Sequence, residues 1–142
     1  MNTKLILLMQ NRVTELIELT RKADTFMQSH QLPEETIYKV NLILEEMLTN
    51  IIKYAYKDTL KHDIRIEMTL MEHHELVLEF QDDGGEFDPL DAPPPKAQES
   101  VSETPVGGLG IHLVKQMADG VEYQRDQGRN ILRARISLGS TA

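Results

Sequence analysis

Apolar and polar residues alternate along two neighbouring segments of the chain in the two-residue period of half-buried β-strands. Residues 64–70 and 76–82 carry this pattern, and Glu72-His-His74 between them predicts a hairpin turn. Further strands are predicted at 4–9, 121–125 and 131–138, the last with Leu132, Ala134, Ile136 and Leu138 on its apolar face.

Apolar residues at helical spacing predict three helices. The first covers about 11–30 with Asn11 as N-cap, the second about 34–57 after Pro33, and the third follows the glycines at 107–110. The apolar stripe of the second helix consists of Ile37, Val40, Leu44, Met47, Leu48, Ile51 and Ala55. With 142 residues, the chain is expected to form a single domain, residues 1–142.

Charge and composition exclude several classes of function. The formal net charge is −8, and no basic stripe is present, which argues against nucleic-acid binding. The chain has no cysteine, and its five histidines lack metal-ligand spacing. The only apolar run at the N-terminus, residues 5–9, is too short for a signal core or a membrane span. A cytoplasmic protein without membrane partners is expected.

Two polar residues of the second helix, Glu46 and Asn50, are separated by four positions and therefore project from the same side. Such a pair beyond an apolar stripe is most often solvated surface. Asp82 has the same parity as Leu76, Leu78 and Phe80, so it points toward the covered face of the sheet. A carboxylate there costs several kcal/mol unless protein, water or ligand satisfies it.

Residues 84–106 form the one long irregular segment and hold five of the six prolines. A structureless segment above about 12–15 residues in a compact domain is usually a functional lid or is disordered; we favour a lid. Gly107-Gly-Leu-Gly110 then opens the third helix, where backbone N–H groups and the helix dipole suit phosphate. An ordinary loop before a helix would give the same pattern.

In combination, these motifs resemble those of Bergerat-fold ATP-binding proteins, the GHKL superfamily. Glu46-Met-Leu-Thr-Asn50 resembles the N-box, Asp82-Asp-Gly84 the first glycine box, and Gly107-Gly-Leu-Gly110 the second. More narrowly, they look like the branch of anti-sigma-factor serine kinases, as do Val121-Glu-Tyr123 and Gly128-Arg-Asn130 near the end. The resemblance implies an α+β fold, a two-layer sandwich of Bergerat type, with a mixed sheet, three helices on one face and an ATP lid at about 84–106.

The resemblance also implies the ligands and the residues that bind them. Asp82 would recognise the adenine amino group, and Asn50 would bind Mg²⁺ through its side-chain oxygen. Glu46 would be the general base that activates a serine hydroxyl. The remaining nucleotide-binding residues implied by the family are Gly84, Phe87, Gly107, Gly108, Leu109 and Gly110.

The implied protein is a homodimeric serine/threonine protein kinase that phosphorylates a STAS-domain anti-sigma-factor antagonist and also sequesters a sigma factor. Two departures leave an alternative open. Tyr54 occupies a position that is commonly His in the family, and the lid contains no arginine. A non-catalytic ATP-binding module that binds a STAS or sigma partner is therefore the second hypothesis. A detached histidine-kinase catalytic domain is the third, although no phosphoacceptor helix is evident.

Overall fold

The computed structural model describes residues 2–86, 88 and 108–139. These residues form one five-stranded sheet and three α-helices. The strands are β1 (Thr3–Gln10), β2 (Asp63–Met71), β3 (Glu75–Asp82), β4 (Gly120–Asp126) and β5 (Arg129–Ser137). The helices are α1 (Leu16–Ser29), α2 (Glu34–Tyr54) and α3 (Gly108–Met117), and a short 3-10 turn at Val13–Glu15 precedes α1.

The α+β class predicted from the sequence is confirmed, but the expectation of a mixed sheet is wrong. The strand order is β1-β2-β3-β5-β4, and all four pairings are antiparallel. Strands β3 and β4 both run antiparallel to β5 and are therefore parallel to each other. They do not pair because β5 returns from the turn at Gln127 and Gly128 and lies between them.

Alternation along the strands places one face of the sheet against the helices. On β3, every second residue from Leu76 to Asp82 is buried, and β2 and β5 follow the same period. Helix α2 contributes the most buried helical residues. The fully enclosed part of the core includes Val40, Ile43, Leu44, Leu48, Ile64, Ile66, Met68, Leu76, Leu78, Ile111 and Ala134.

The start of the first helix differs from the prediction. Asn11 is not its N-cap, because α1 begins only at Leu16, after the 3-10 turn. The side chain of Asn11 instead reaches the segment before β2, where Nδ2 donates to the Leu60 carbonyl (3.3 Å) and Oδ1 accepts from the His62 N–H (3.0 Å). Asn11 therefore connects the end of β1 to a segment about 50 residues away in sequence, which local spacing cannot reveal.

Candidate functional site

Asp82 lies at the end of β3, where its carboxylate is buried under the end of α2. The residue is 3% exposed, which confirms the inward orientation predicted from strand parity. The Gly84 N–H and Asn130 Nδ2 both donate to Asp82 Oδ1, each at 2.9 Å. Among the described residues, the other oxygen, Oδ2, is therefore the one available to a ligand.

Burial raises the pKa of Asp82 above its ordinary value, and the negative charge of Asp83 adds to this effect. The hydrogen bonds from Asn130 and Gly84 and the positive charge of Arg125 act in the opposite direction. The ionised carboxylate is the form that can accept a hydrogen bond from an amino group at Oδ2. The donors around Oδ1 therefore stabilise the state of Asp82 that such a ligand needs.

Asn130 organises the region around this carboxylate. It is 6% exposed and pairs with Asp82 in the register of β3 and β5. Its Nδ2 also donates to the Gly85 carbonyl (2.9 Å), while its Oδ1 accepts from Tyr123 Oη (2.6 Å) and Arg125 Nη1 (3.1 Å). Because both ends of its amide are engaged, the orientation of the Asn130 side chain is fixed.

In the sequence, Tyr123 and Asn130 stood out only as parts of motifs that resemble the serine-kinase branch, and no role was predicted for them or for Arg125. The signal for Asn130 was available, since it precedes Leu132 in the same parity as the apolar face of the last strand. The positions of Tyr123 and Arg125 depend on how β4 pairs with β5, which the sequence alone does not determine.

Asn50 faces the same pocket from α2. The pocket has roughly 350 Å³ of empty space, part of which is open solvent. Asn50 Nδ2 is buried and makes no hydrogen bond to any residue that the structure describes. A buried amide without a partner costs free energy, so this group is suited to a ligand or water. The pocket is lined by Met47, Asn50, Ile51, Ala55, Phe80, Asp82, Tyr123, Asn130 and Leu132.

The structure thus brings Asn50 and Asp82 together, whereas Glu46 does not line this pocket. Glu46 lies one turn before Asn50 on α2 and is partly exposed. Gly108, Leu109 and Gly110 form the first turn of α3. Phe87, Gly107 and most of the predicted lid lie outside the described residues.

Gly84 has a packing role that the sequence did not reveal. A Cβ at this position would lie 2.4 Å from the carbonyl oxygen of Ala55, at the end of α2. The next residue, Gly85, donates its N–H to the same carbonyl at 2.8 Å. The glycine box therefore packs directly on the C-terminus of α2, the helix that carries Asn50.

In the described part of the chain, a long helix and a buried acid face one pocket. The comparisons with known proteins identify the family. A family model described as a histidine kinase-like ATPase domain matches residues 9–136, and the chain belongs to that family.

Curated relatives confirm the resemblance to the serine-kinase branch. The chain is 31% identical over 96 residues to the serine/threonine-protein kinase BtrW of Bordetella bronchiseptica, covering 67% of this chain and 66% of that protein. It is 27% identical over 108 residues to the serine-protein kinase RsbW of Bacillus velezensis, covering 74% of this chain and 68% of that protein. The matches therefore span about two thirds of the relatives' length.

Solved structures show the same fold. The RsbU and RsbW domains of Rv1364c from Mycobacterium tuberculosis superpose with a TM-score of 0.69 at 10% identity, over 95% of this chain and 32% of that one. The histidine kinase domain of the blue-light activated kinase EL346 from Erythrobacter litoralis superposes with a TM-score of 0.54 at 22% identity, over 75% of this chain and 46% of that one. No helix in the described ranges is long and apolar enough to cross a bilayer.

The contact between Gly84 and Ala55 gives the first prediction. Gly84→Ala should destabilise the fold by about 1–3 kcal/mol, because the added methyl group overlaps a backbone carbonyl that cannot move independently. Gly85→Ala is the matched control, since its Cβ would lie 3.9 Å from the same oxygen. Urea unfolding of the two variants measures the difference, and equal stability would contradict the close packing.

Proposed function

We propose that the protein binds ATP in this pocket and transfers the γ-phosphoryl group to a serine of a partner protein. The observation that carries the proposal is the pairing of Asp82 with Asn50 across one pocket. Asp82 Oδ2 would accept a hydrogen bond from the adenine amino group, while Oδ1 remains bound to Gly84 and Asn130. This contact would select a base that presents a hydrogen-bond donor, because an ionised carboxylate accepts hydrogen bonds but does not donate them.

The phosphates would extend from this pocket toward the first turn of α3. Backbone N–H groups at Gly108, Leu109 and Gly110 are suited to them, because the first N–H groups of a helix have no partner within the helix. Gly107, which lies outside the described residues, is part of the same proposal. Bound Mg²⁺ would neutralise charge on the phosphates, and the Asn50 amide oxygen is its proposed protein ligand. The Asn50 atom without a partner among the described residues is Nδ2, which fits donation of a hydrogen bond to a ligand oxygen and does not itself bind the metal. Phe87 is proposed to anchor the start of the lid.

Glu46 is the proposed general base. Its position one turn from Asn50 on α2 would set the Glu46 carboxylate beside the phosphates rather than beside the adenine ring. The carboxylate would accept the proton of the substrate serine hydroxyl as that oxygen bonds to the γ-phosphorus. The bond from the γ-phosphorus to the bridging oxygen breaks, and ADP leaves.

The proposed partners come from the serine-kinase branch. The substrate would be a STAS-domain anti-sigma-factor antagonist, and the same protein would sequester a sigma factor. The names of the BtrW and RsbW relatives support the kinase assignment. A homodimer, a cytoplasmic location and the use of Mg²⁺ are part of the proposal. Tyr54 and the arginine-free lid are the features that favour the non-catalytic module, whereas Glu46 and the kinase relatives favour catalysis.

Asp82→Asn tests the adenine site. The introduced amide would retain an oxygen for Gly84 and Asn130 but would direct its NH₂ group at the adenine amino group, so two donors would face each other. We expect Mg·ATP affinity to fall roughly 10- to 100-fold without a loss of thermal stability, because a buried charge is removed. Unchanged affinity by isothermal titration calorimetry would exclude this role.

Asn50→Ala tests the proposed metal ligand. The substitution removes an amide nitrogen that has no partner among the described residues, so the fold should tolerate it. ATP binding should lose most of its enhancement by Mg²⁺, measured as the ratio of affinities with and without the ion. If mutant and wild type show the same ratio, Asn50 does not serve the metal.

Glu46→Gln tests whether Glu46 is the general base. The variant should still bind Mg·ATP but should transfer phosphate about 10²–10⁴-fold more slowly to a candidate STAS antagonist. Glu45→Gln is the matched control, because this neighbouring glutamate is exposed on the side of α2 that faces α1. Transfer is followed with labelled ATP, and wild-type turnover by the Glu46 variant would assign the base elsewhere.

A further inference from the structure

The imidazole of His62 connects the segment after α2 to the glycine box. His62 Nε2 lies 2.8 Å from Asp58 Oδ1, and Nδ1 lies 3.1 Å from Asp83 Oδ1. Asp58 belongs to the same segment as His62, whereas Asp83 directly follows Asp82 at the end of β3. These two contacts, the His62 bridge, therefore reach the residue next to the proposed adenine-binding carboxylate.

Both ring nitrogens face carboxylate oxygens, and this geometry favours the charged imidazolium. A neutral imidazole has one N–H donor and one acceptor, so one nitrogen would direct a lone pair at a carboxylate. The hydrogen bond to Asp58 is the main cause that raises the pKa of His62, and the charges of Asp58 and Asp83 add to it. The imidazole side chain is 16% exposed, whereas the Asp58 and Asp83 side chains are about half exposed, so solvent screens both contacts in part.

The ring of Tyr56 holds the imidazole from one side. The two rings stack with centroids 4.2 Å apart and planes at 17°, an arrangement that favours a cationic ring over an aromatic face. Tyr56 follows Ala55, whose carbonyl accepts the Gly85 N–H. The same end of α2 thus contacts the glycine box directly and supports the His62 bridge.

The charges around the bridge are mainly negative. Burial is the main cause that raises the pKa of Tyr56, and neighbouring acids raise it further, so this hydroxyl stays neutral at physiological pH. The titratable and charged groups that act on the bridge and on Asp82 include Tyr56, Asp58, Asp63, Asp82, Asp83, Arg125 and Arg129.

We propose that His62 is a positioning residue for nucleotide binding: as an imidazolium it holds Asp83, and thereby Asp82, in the orientation that receives adenine. The inference rests on the proposed role of Asp82. The positioning role predicts that nucleotide binding depends on pH. When the imidazolium loses one proton, one ring nitrogen directs a lone pair at a carboxylate oxygen, and that contact changes from attractive to repulsive. The contact with Asp83 is the longer of the two, so we expect it to open first.

The direction of the pH effect follows from the raised pKa of His62. The bridge is complete below the ordinary histidine pKa of about 6.5 and is lost as the pH rises through the higher value in the folded protein. Asp82 gives the opposite effect at acid pH, because its pKa is also raised and its protonation removes an acceptor. Nucleotide affinity should therefore be highest between these two titrations.

The experiment compares Mg·ATP affinity from about pH 6 to about pH 9 in three full-length proteins. The Mg·ATP affinity of wild type and of His73→Gln should fall roughly threefold over this range. At about pH 6, His62→Gln should bind Mg·ATP more weakly than wild type, and its affinity should change less with pH. His73 is a matched control because it lies in the β2–β3 turn, 65% exposed, and contacts Glu75 (3.2 Å). Titration of the nucleotide itself affects all three proteins equally.

A second measurement does not depend on nucleotide. The pKa of His62, read from its ring proton resonances by NMR in the free protein, should be lower in Asp83→Asn than in wild type. Equal His62 values would overturn the bridge, even if His62→Gln failed to fold. If Mg·ATP binds identically to wild type and His62→Gln at every pH, the positioning role is wrong but nucleotide binding stands. If wild type binds no ATP at any pH, the proposed function fails, and with it the positioning role.

Discussion

Burial of the Asp82 carboxyl group at the end of β3 is the constraint that organises the rest of the site. Asp82 is almost fully enclosed, and an uncompensated charge there would cost several kcal/mol. Its donors come from two directions, the backbone of Gly84 and the side chain of Asn130 on the neighbouring strand. Because both donors reach the same oxygen, the sheet stabilises the charge and still leaves one acceptor facing the pocket.

The contact between the glycine box and α2 extends this constraint to the second half of the site. Gly84 and Gly85 both approach the carbonyl of Ala55, so the end of α2 cannot shift without moving the loop after Asp82. Asn50 lies on the last turns of the same helix. The relative placement of Asn50 and Asp82 is therefore determined by core packing, independently of the lid.

Local patterns predicted the elements and the inward side of β3, because alternation and helical spacing are properties of a few consecutive residues. They did not predict the antiparallel order, in which β5 lies between β3 and β4. The partners of Asp82 were missed for the same reason, since the contact with Asn130 spans 48 positions. For Asn11 the local pattern gave a wrong prediction, because its side chain bonds to the distant residues Leu60 and His62 instead of capping α1.

The acidity of this region raises the question of how it could receive a nucleotide that is itself an anion. The acids Asp82 and Asp83 lie at the end of β3, near the last turn of α2. Asn50 lies five residues before Ala55, a rise of about 7.5 Å along the helix. The base, which is neutral, would occupy the acidic end, while the phosphates would lie further along α2, toward the N–H groups of α3 and away from these carboxylates. An acid that selects adenine, as proposed for Asp82, would thus be compatible with a triphosphate, because about 7.5 Å along α2 would separate the two.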